Sequence, residues 1–146
     1  MKKILSMFLL LMVISTSYQL AAAENDKPFA EKRVVLQISD DDPGKQTLVL
    51  NVANNLIKAY GPDKVDVEIV AFGPGLRLMF DDNHNKGRIS GLTDNGVRFA
   101  ACGNTLKKMT ALLGYEPKIN GKARVVPGGA VRIIDLVSDG YVLIKP

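Results

Sequence analysis

The chain has one cysteine in 146 residues, Cys102, and one histidine, His84. A lone cysteine cannot close an internal disulfide, so the core must hold without covalent staples. The histidine sits in Asp81-Asp82-Asn83-His84-Asn85, a spacing that matches neither a zinc site nor a calcium loop and reads as solvated loop. Aromatic residues make up 6% of the chain and no basic stripe interleaves with them, which argues against nucleic acid as a partner. Pro43-Gly44-Lys45-Gln46-Thr47 lacks the upstream glycine of a phosphate-binding loop and the Ser or Thr that follows its lysine. Nucleotide binding is rejected on that basis, and no cofactor or metal is expected.

A long apolar run is also missing. Ile4 to Ile14, after Lys2 and Lys3, is shorter than the roughly 20 residues of a spanning helix. A basic start, a short apolar stretch, the polar break Ser15-Thr16-Ser17 and then Ala21-Ala22-Ala23 describe a secretory signal peptide over residues 1–23, cleaved after Ala23. The mature chain is then expected in the periplasm or secreted, with no further membrane association. Removing residues 1–23 takes the formal charge from +4 to +2, seventeen basic side chains against fifteen acidic, too little to select a polyanionic partner. Residues 24–32 are polar and aperiodic and read as a flexible lead-in. The remaining 33–146 suits one domain.

Within that domain, short apolar runs alternate with helical periodicity. Val34 to Ile38 is β-branched at three of five positions, as a strand buried on both faces would be. Val49, Val52, Ala53, Leu56, Ile57 and Tyr60 then recur three and four apart, with Asp42 as N-cap, Pro43 at the first helical position and Gly61-Pro62 as the stop. Val65 to Phe72 predicts a second strand, leading to Gly73-Pro74-Gly75. Leu76 to Phe80 fits no single type, and a short helix is expected around Ile89 and Leu92. Val97 to Ala101 predicts a third strand. A helix follows over Thr105 to Leu113, with Leu106, Met109 and Leu112 or Leu113 turned inward. A short strand at Ala123 to Val126 precedes Pro127-Gly128-Gly129, which opens a last helix expected to bury Ala130, Val131, Ile133, Ile134 and Val137. Tyr141 to Ile144 predicts the final strand.

Such alternation predicts a parallel sheet covered on both faces, with sites collected beyond the strands' carboxyl ends. Four loops there carry suitable residues: Ser39 to Gly44, Gly73 to Gly75, Cys102 to Asn104, and Pro127 to Gly129. From them the candidate ligand-binding residues are Asp42, Gly73, Gly75, Gly103, Asn104, Thr105 and Gly128, around Cys102 as candidate catalytic residue. At a strand-to-helix junction, unpaired N–H groups and the helix dipole favour an anion, lower a thiol pKa and raise its nucleophilicity. The competing reading is a cysteine packed as a small apolar side chain.

The segments "VVLQISDDDPGKQTLVLNVANNLIKAYG", "VEIVAFGPGLRLM", "GVRFAACGNTLKKM" and "VVPGGAVRIIDLVSDGYVLIKP" together resemble the DsrE/DsrF-like family, sulfur-relay proteins and their relatives. The resemblance implies a three-layer α/β/α fold on a mainly parallel five-stranded sheet and a homo-oligomer, trimer or hexamer. It also implies a cysteine that carries sulfur as a persulfide, a role that falls on Cys102. The implied partners are a sulfur-donor or acceptor thiol protein, or a small sulfane-sulfur compound. Relay members follow their cysteine with an alanine-rich turn and an Arg-Gly pair, where this chain has Gly103-Asn104-Thr105-Leu106-Lys107. A non-catalytic, homo-oligomeric module that binds a small ligand or partner segment and keeps a structural cysteine is the alternative.

Overall fold

The computed structural model describes residues 27–146; the segment read as a signal peptide lies outside the described residues. Five strands form one sheet: β1 (Lys32–Ile38), β2 (Val65–Ala71), β3 (Arg98–Cys102), β4 (Ala123–Val126) and β5 (Val142–Ile144). Their order is β4-β3-β2-β1-β5 and every pairing is parallel. Between them run helices α1 (Pro43–Tyr60), α2 (Lys86–Asp94), α3 (Gly103–Leu113) and α4 (Gly129–Ser138), with a 3-10 helix over Gly73–Met79 where the sequence pattern fits no single type. This is the three-layer α/β/α arrangement, in a single domain.

Local chemistry accounts for the element ends. Asp42 caps α1 by accepting a 2.8 Å hydrogen bond from the Lys45 N–H, Pro43 occupies the first turn, and Gly61 ends the helix with its N–H on the Ile57 carbonyl. β1 begins at Lys32, within the predicted lead-in, and Lys27 Nζ donates to the Pro62 carbonyl at 2.6 Å.

The two faces of the sheet are covered unequally. α1, α2, α3 and the 3-10 helix pack on one face, where Leu36, Ile69, Leu50, Leu78, Ile89 and Phe99 belong to a single apolar cluster. Each such side chain contributes about 1.5–3 kcal/mol by leaving water. Among the described residues α4 alone packs on the other face, joining Ile133 and Leu136 to Val35, Val70, Ala100 and Val126.

That imbalance corrects the predicted interior. Ile133 is buried, but Ala130, Val131, Ile134 and Val137 are exposed, Ile134 to 65%. One helix about 10 Å wide cannot cover five strands spaced about 4.8 Å apart, and nothing among the described residues lies over its outer side. Leu112 and Leu113 are likewise exposed rather than inward, Leu112 to 75%, because α3 anchors through Leu106 and Met109. α3 also starts at Gly103, two residues before the predicted Thr105.

β2 departs from the pattern most. All seven of its residues are buried, including Asp66 and Glu68 at 1% exposure. Their carboxylates survive burial because cations and a phenol meet them. Arg132 of α4 donates from Nε and Nη2 to the two Glu68 carboxylate oxygens, both at 2.7 Å. Arg98 of β3 pairs with Glu68 through Nη1 and with Asp66 through Nη2, each at 3.0 Å. The Tyr141 hydroxyl donates to Asp66 in a short contact and accepts from Arg98 Nη2 at 2.7 Å. Burial, then the bond to Asp66, pushes the Tyr141 pKa up to about 12.

Candidate functional site

Because all strands run parallel, the four loops singled out by their composition lie on the same edge of the sheet. The chain leaves β3 into α3 on one face and leaves β4 into α4 on the opposite face. A crevice opens where neighbouring strands send their connections to opposite faces. Cys102, the last residue of β3, stands in it, paired in register with Val126, the last residue of β4. Two helix N-termini converge there, since Cys102 is the N-cap of α3 and Gly128 the N-cap of α4.

The close approach of α4 depends on Gly129. A Cβ at that position would stand 2.9 Å from Phe72 Cβ and 3.3 Å from Cys102 Cβ, so a larger residue would push the helix start away from the sulfur. Cys102 is 5% exposed, and its Sγ makes no capping hydrogen bond to α3. Burial pushes its pKa up, but the Thr105 hydroxyl and the N–H groups of Thr105, Gly129 and Asn104 favour the thiolate more strongly, and the net displacement is downward. The Thr105 hydroxyl is held for this by the Gly73 N–H, which donates to Oγ1 at 3.0 Å and leaves the hydroxyl hydrogen for sulfur.

The other candidate residues divide into two groups. Thr105, Asn104, Gly73 and Gly128 lie around Cys102, with Asn104 exposed and Gly128 buried at the start of α4. Gly103 is buried, and its position for a Cβ lies 3.0 Å from the Val126 carbonyl oxygen, a tight packing contact. Gly75 is filled on the same terms: a Cβ there would lie 2.5 Å from the Ile38 carbonyl oxygen, so it serves the packing of the 3-10 helix on β1. Asp42 caps α1 beyond β1, and β2 lies between β1 and β3. Asn104 and Thr105 belong to the body of α3 and are not its caps.

Sequence reasoning missed three residues near this site: Gly129 as a contact of the sulfur, and Arg132 and Arg124 beside the crevice. The signal for Arg132 was present. Two acids alternating with apolar residues in a central strand call for cations from the layer above, and Arg132 is the only basic residue in Gly129–Ser138. Among the described residues, no three His, Cys, Asp or Glu side chains converge as a metal site would require.

Residues 32–146 match the DsrE/DsrF-like family. Among solved structures, a protein of unknown function from Methanobacterium thermoautotrophicum is 31% identical, with a TM-score of 0.72 over 80% of this chain and 100% of that one. A conserved protein of unknown function from Bacteroides thetaiotaomicron shares the fold at 13% identity, with a TM-score of 0.50 over 79% of this chain and 95% of its own. No curated protein matches the chain.

Proposed function

Because the chain belongs to the DsrE/DsrF-like family, we propose that it is an exported sulfur carrier or sulfurtransferase, periplasmic or secreted, in which Cys102 takes up sulfane sulfur as a persulfide. The observation that carries this reading is the placement of the thiol, in the crevice where the N-termini of α3 and α4 converge. A buried cysteine with no role but packing has a raised pKa, whereas a hydroxyl and three backbone N–H groups hold that of Cys102 below the ordinary thiol value.

The Cys102 thiolate attacks the outer sulfur of a donor persulfide. A new S–S bond forms at Cys102 as the donor's S–S bond breaks, and the donor leaves as a thiolate that takes a proton from water. The loaded persulfide is itself an anion, and the N-termini of α3 and α4 stabilise it until a second thiol accepts the sulfur. The test is intact mass after exposure to a sulfane-sulfur donor. The wild-type chain gains one sulfur, lost on reduction, and Cys102→Ser gains none; full loading of Cys102→Ser would sink the reading.

The working form under this reading is a homo-oligomer, trimer or hexamer. Ala130, Ile134 and Val137 form an apolar ridge along the outer side of α4, and exposed Leu143 of the edge strand β5 lies on the same face of the sheet. Monomeric proteins rarely leave so contiguous a patch in water.

A second reading, a binding module with a structural cysteine, draws on the low exposure of Cys102. Alkylation separates the two: a carrier thiol reacts in the native protein at mildly acidic pH, and a packed one reacts only after denaturation.

A further inference from the structure

At the carboxyl end of the sheet, one row of side chains points to the face that α4 covers. The pairing of Ala71 with Ala101 brings Phe72 alongside Cys102, and Cys102 pairs in turn with Val126. Ala71 and Ala101 belong to the apolar cluster beneath α1, α2 and α3. Phe72 and Cys102, each extended and one residue further on, therefore turn the other way. There Phe72 and Val126 pack with Ile133 and Leu136, so the cysteine has an apolar wall on either side. The Phe72 backbone is fixed by its N–H on the Ile38 carbonyl at 3.2 Å, whereas its side chain is half-buried, against the start of α4 and open in part to water.

The space where these residues meet is full. A Cβ on Gly129 would lie 2.9 Å from Phe72 Cβ, 3.1 Å from Phe72 Cδ1 and 3.3 Å from Cys102 Cβ, so one added methyl group overfills it. On the α3 side, a Cβ on Gly103 would lie 3.0 Å from the Val126 carbonyl oxygen. At Gly128, the point a Cβ would occupy is 3.6 Å from Asn104 Nδ2, which brings the exposed Asn104 of α3 to the start of α4. Cys102 is 5% exposed among these neighbours. It lies at the foot of a slot with no room beside it for a branched carbon skeleton.

We propose that Phe72, seated against Gly129, selects the sulfur donor by width, and that the donor is inorganic polysulfide, a bare chain of sulfur atoms. This rests on the sulfur-carrier reading of Cys102 and narrows its substrate class. A thiolate displaces along the axis of the S–S bond it breaks, so the leaving sulfur, with whatever it carries, lies directly outward of the atom transferred. An unbranched sulfur chain enters such a slot end-on. A persulfide on a cysteine carries a methylene and then the branched Cα at that place, and these meet Phe72. The sulfur chain is also an anion, which the N-termini of α3 and α4 favour. With the donor written HS-Sₙ⁻, Cys102-S⁻ and HS-Sₙ⁻ become Cys102-S-SH and Sₙ²⁻. One S–S bond forms as one breaks, and the electron pair leaves on the shortened chain, which takes a proton from water. No external oxidant or reductant enters.

The test measures intact-mass loading of the full mature chain from inorganic polysulfide and from glutathione persulfide. The ratio of the two rates is compared with the same ratio for the chain unfolded in urea, which removes the intrinsic difference between the donors. Folding should raise the preference for polysulfide about tenfold or more, the scale on which a filled interior rejects extra atoms. Phe72→Ala should return the ratio most of the way to the unfolded value by admitting the larger donor. Phe72→Leu, which keeps an apolar side chain on Ile133 and Leu136, should move it in the same direction and serves if Phe72→Ala does not fold. A wild-type ratio equal to the unfolded one, or one that no folded variant moves, would overturn selection by width and leave the carrier reading intact. If Cys102 loads from neither donor, the carrier reading falls, and the slot is read with methyl methanethiosulfonate and the bulkier dithiobis-nitrobenzoate, which bring no sulfane sulfur. A preference for the smaller reagent about tenfold above that of the unfolded chain, relaxed in Phe72→Leu, would still establish the slot. No such preference, or no reaction with either reagent, would remove it.

Discussion

The two faces of the sheet solve different problems. On the face beneath α1, α2 and α3, the strands offer Val34, Leu36, Val67, Ile69 and Phe99, and the helices answer with Leu50, Ile57, Ile89 and Leu106. Beneath α4, the same strands offer Asp66, Glu68 and Arg98 beside Val70 and Ala100, and the answer is Arg132, Tyr141, Ile133 and Leu136. The first face is an apolar interior that specifies little beyond volume. The second holds a single helix in one place through directional bonds, and that placement sets the distance from Gly129 to Cys102. The difference teaches that stability and site geometry are divided between the two sides, with the thiol at the edge where they meet.

The contrast is sharpest at its two centres. Glu68→Gln leaves Arg98 and Arg132 beneath a neutral partner, and breaking a buried pair from one side costs about 3–5 kcal/mol. Denaturant melts should show that loss together with faster alkylation of Cys102, since Arg132 no longer fixes α4. Leu50→Ala on the opposite face should cost about 3 kcal/mol through a cavity and leave the native alkylation rate of Cys102 unchanged. Equal effects of the two variants on alkylation would dissolve the division of labour.

Tyr141→Phe is the milder probe of the charged face. It removes the hydrogen bond donated to the buried Asp66 carboxylate and the one accepted from Arg98, together worth about 2 kcal/mol near neutral pH, and its signature is in alkali. The folded pKa of Tyr141 is raised to about 12, so the fold favours the neutral phenol. The stability this contributes is fully present below the unfolded value of about 10 and is lost as pH rises from there through the folded value. Melts of the wild-type chain should show that extra loss, and Tyr141→Phe should not.

Cys102 gives a smaller slope of the opposite sense. Its folded pKa is lowered, so its contribution is present above the unfolded thiol value and is lost as pH falls through the folded value. Thiolate absorbance of the native protein should titrate below that of the denatured chain, and Cys102→Ser should lack both the absorbance and the slope. The least change in stability is expected at Ile134→Ser, within about 0.5 kcal/mol for the single chain. Its readout is mass in solution, where an assembly seated on the α4 ridge should fall apart to single chains.

Much of the first face was legible in the sequence, because apolar spacing reports burial directly. The alternation of Val49, Val52, Ala53, Leu56 and Ile57 gave α1, and the β-branched runs gave the central strands. The same rule misread α4, where Val131, Ile134 and Val137 were expected inside. Periodicity shows that a surface is apolar but not whether this chain or another molecule covers it. At the site, the residues next to Cys102 in sequence were legible as its neighbours. Gly129, which reaches the sulfur from the start of α4, and Arg132, which reaches Glu68, were not, since each contact spans a separation the local pattern does not encode.

What the sequence by itself determined is the succession of elements, the parallel sheet and the placement of the one thiol at a strand-to-helix junction. These depend on short-range periodicity and on the rule that parallel strands need crossovers. Only the tertiary structure decided that α4, alone among the described helices, crosses on the far face. From that follow the convergence of two helix N-termini on Cys102, the burial of Asp66 and Glu68 against Arg98 and Arg132, and the apolar ridge left towards solvent. Strand order and the side taken by a crossover are settled by long-range packing and charge pairing, and a local pattern read along one chain contains neither.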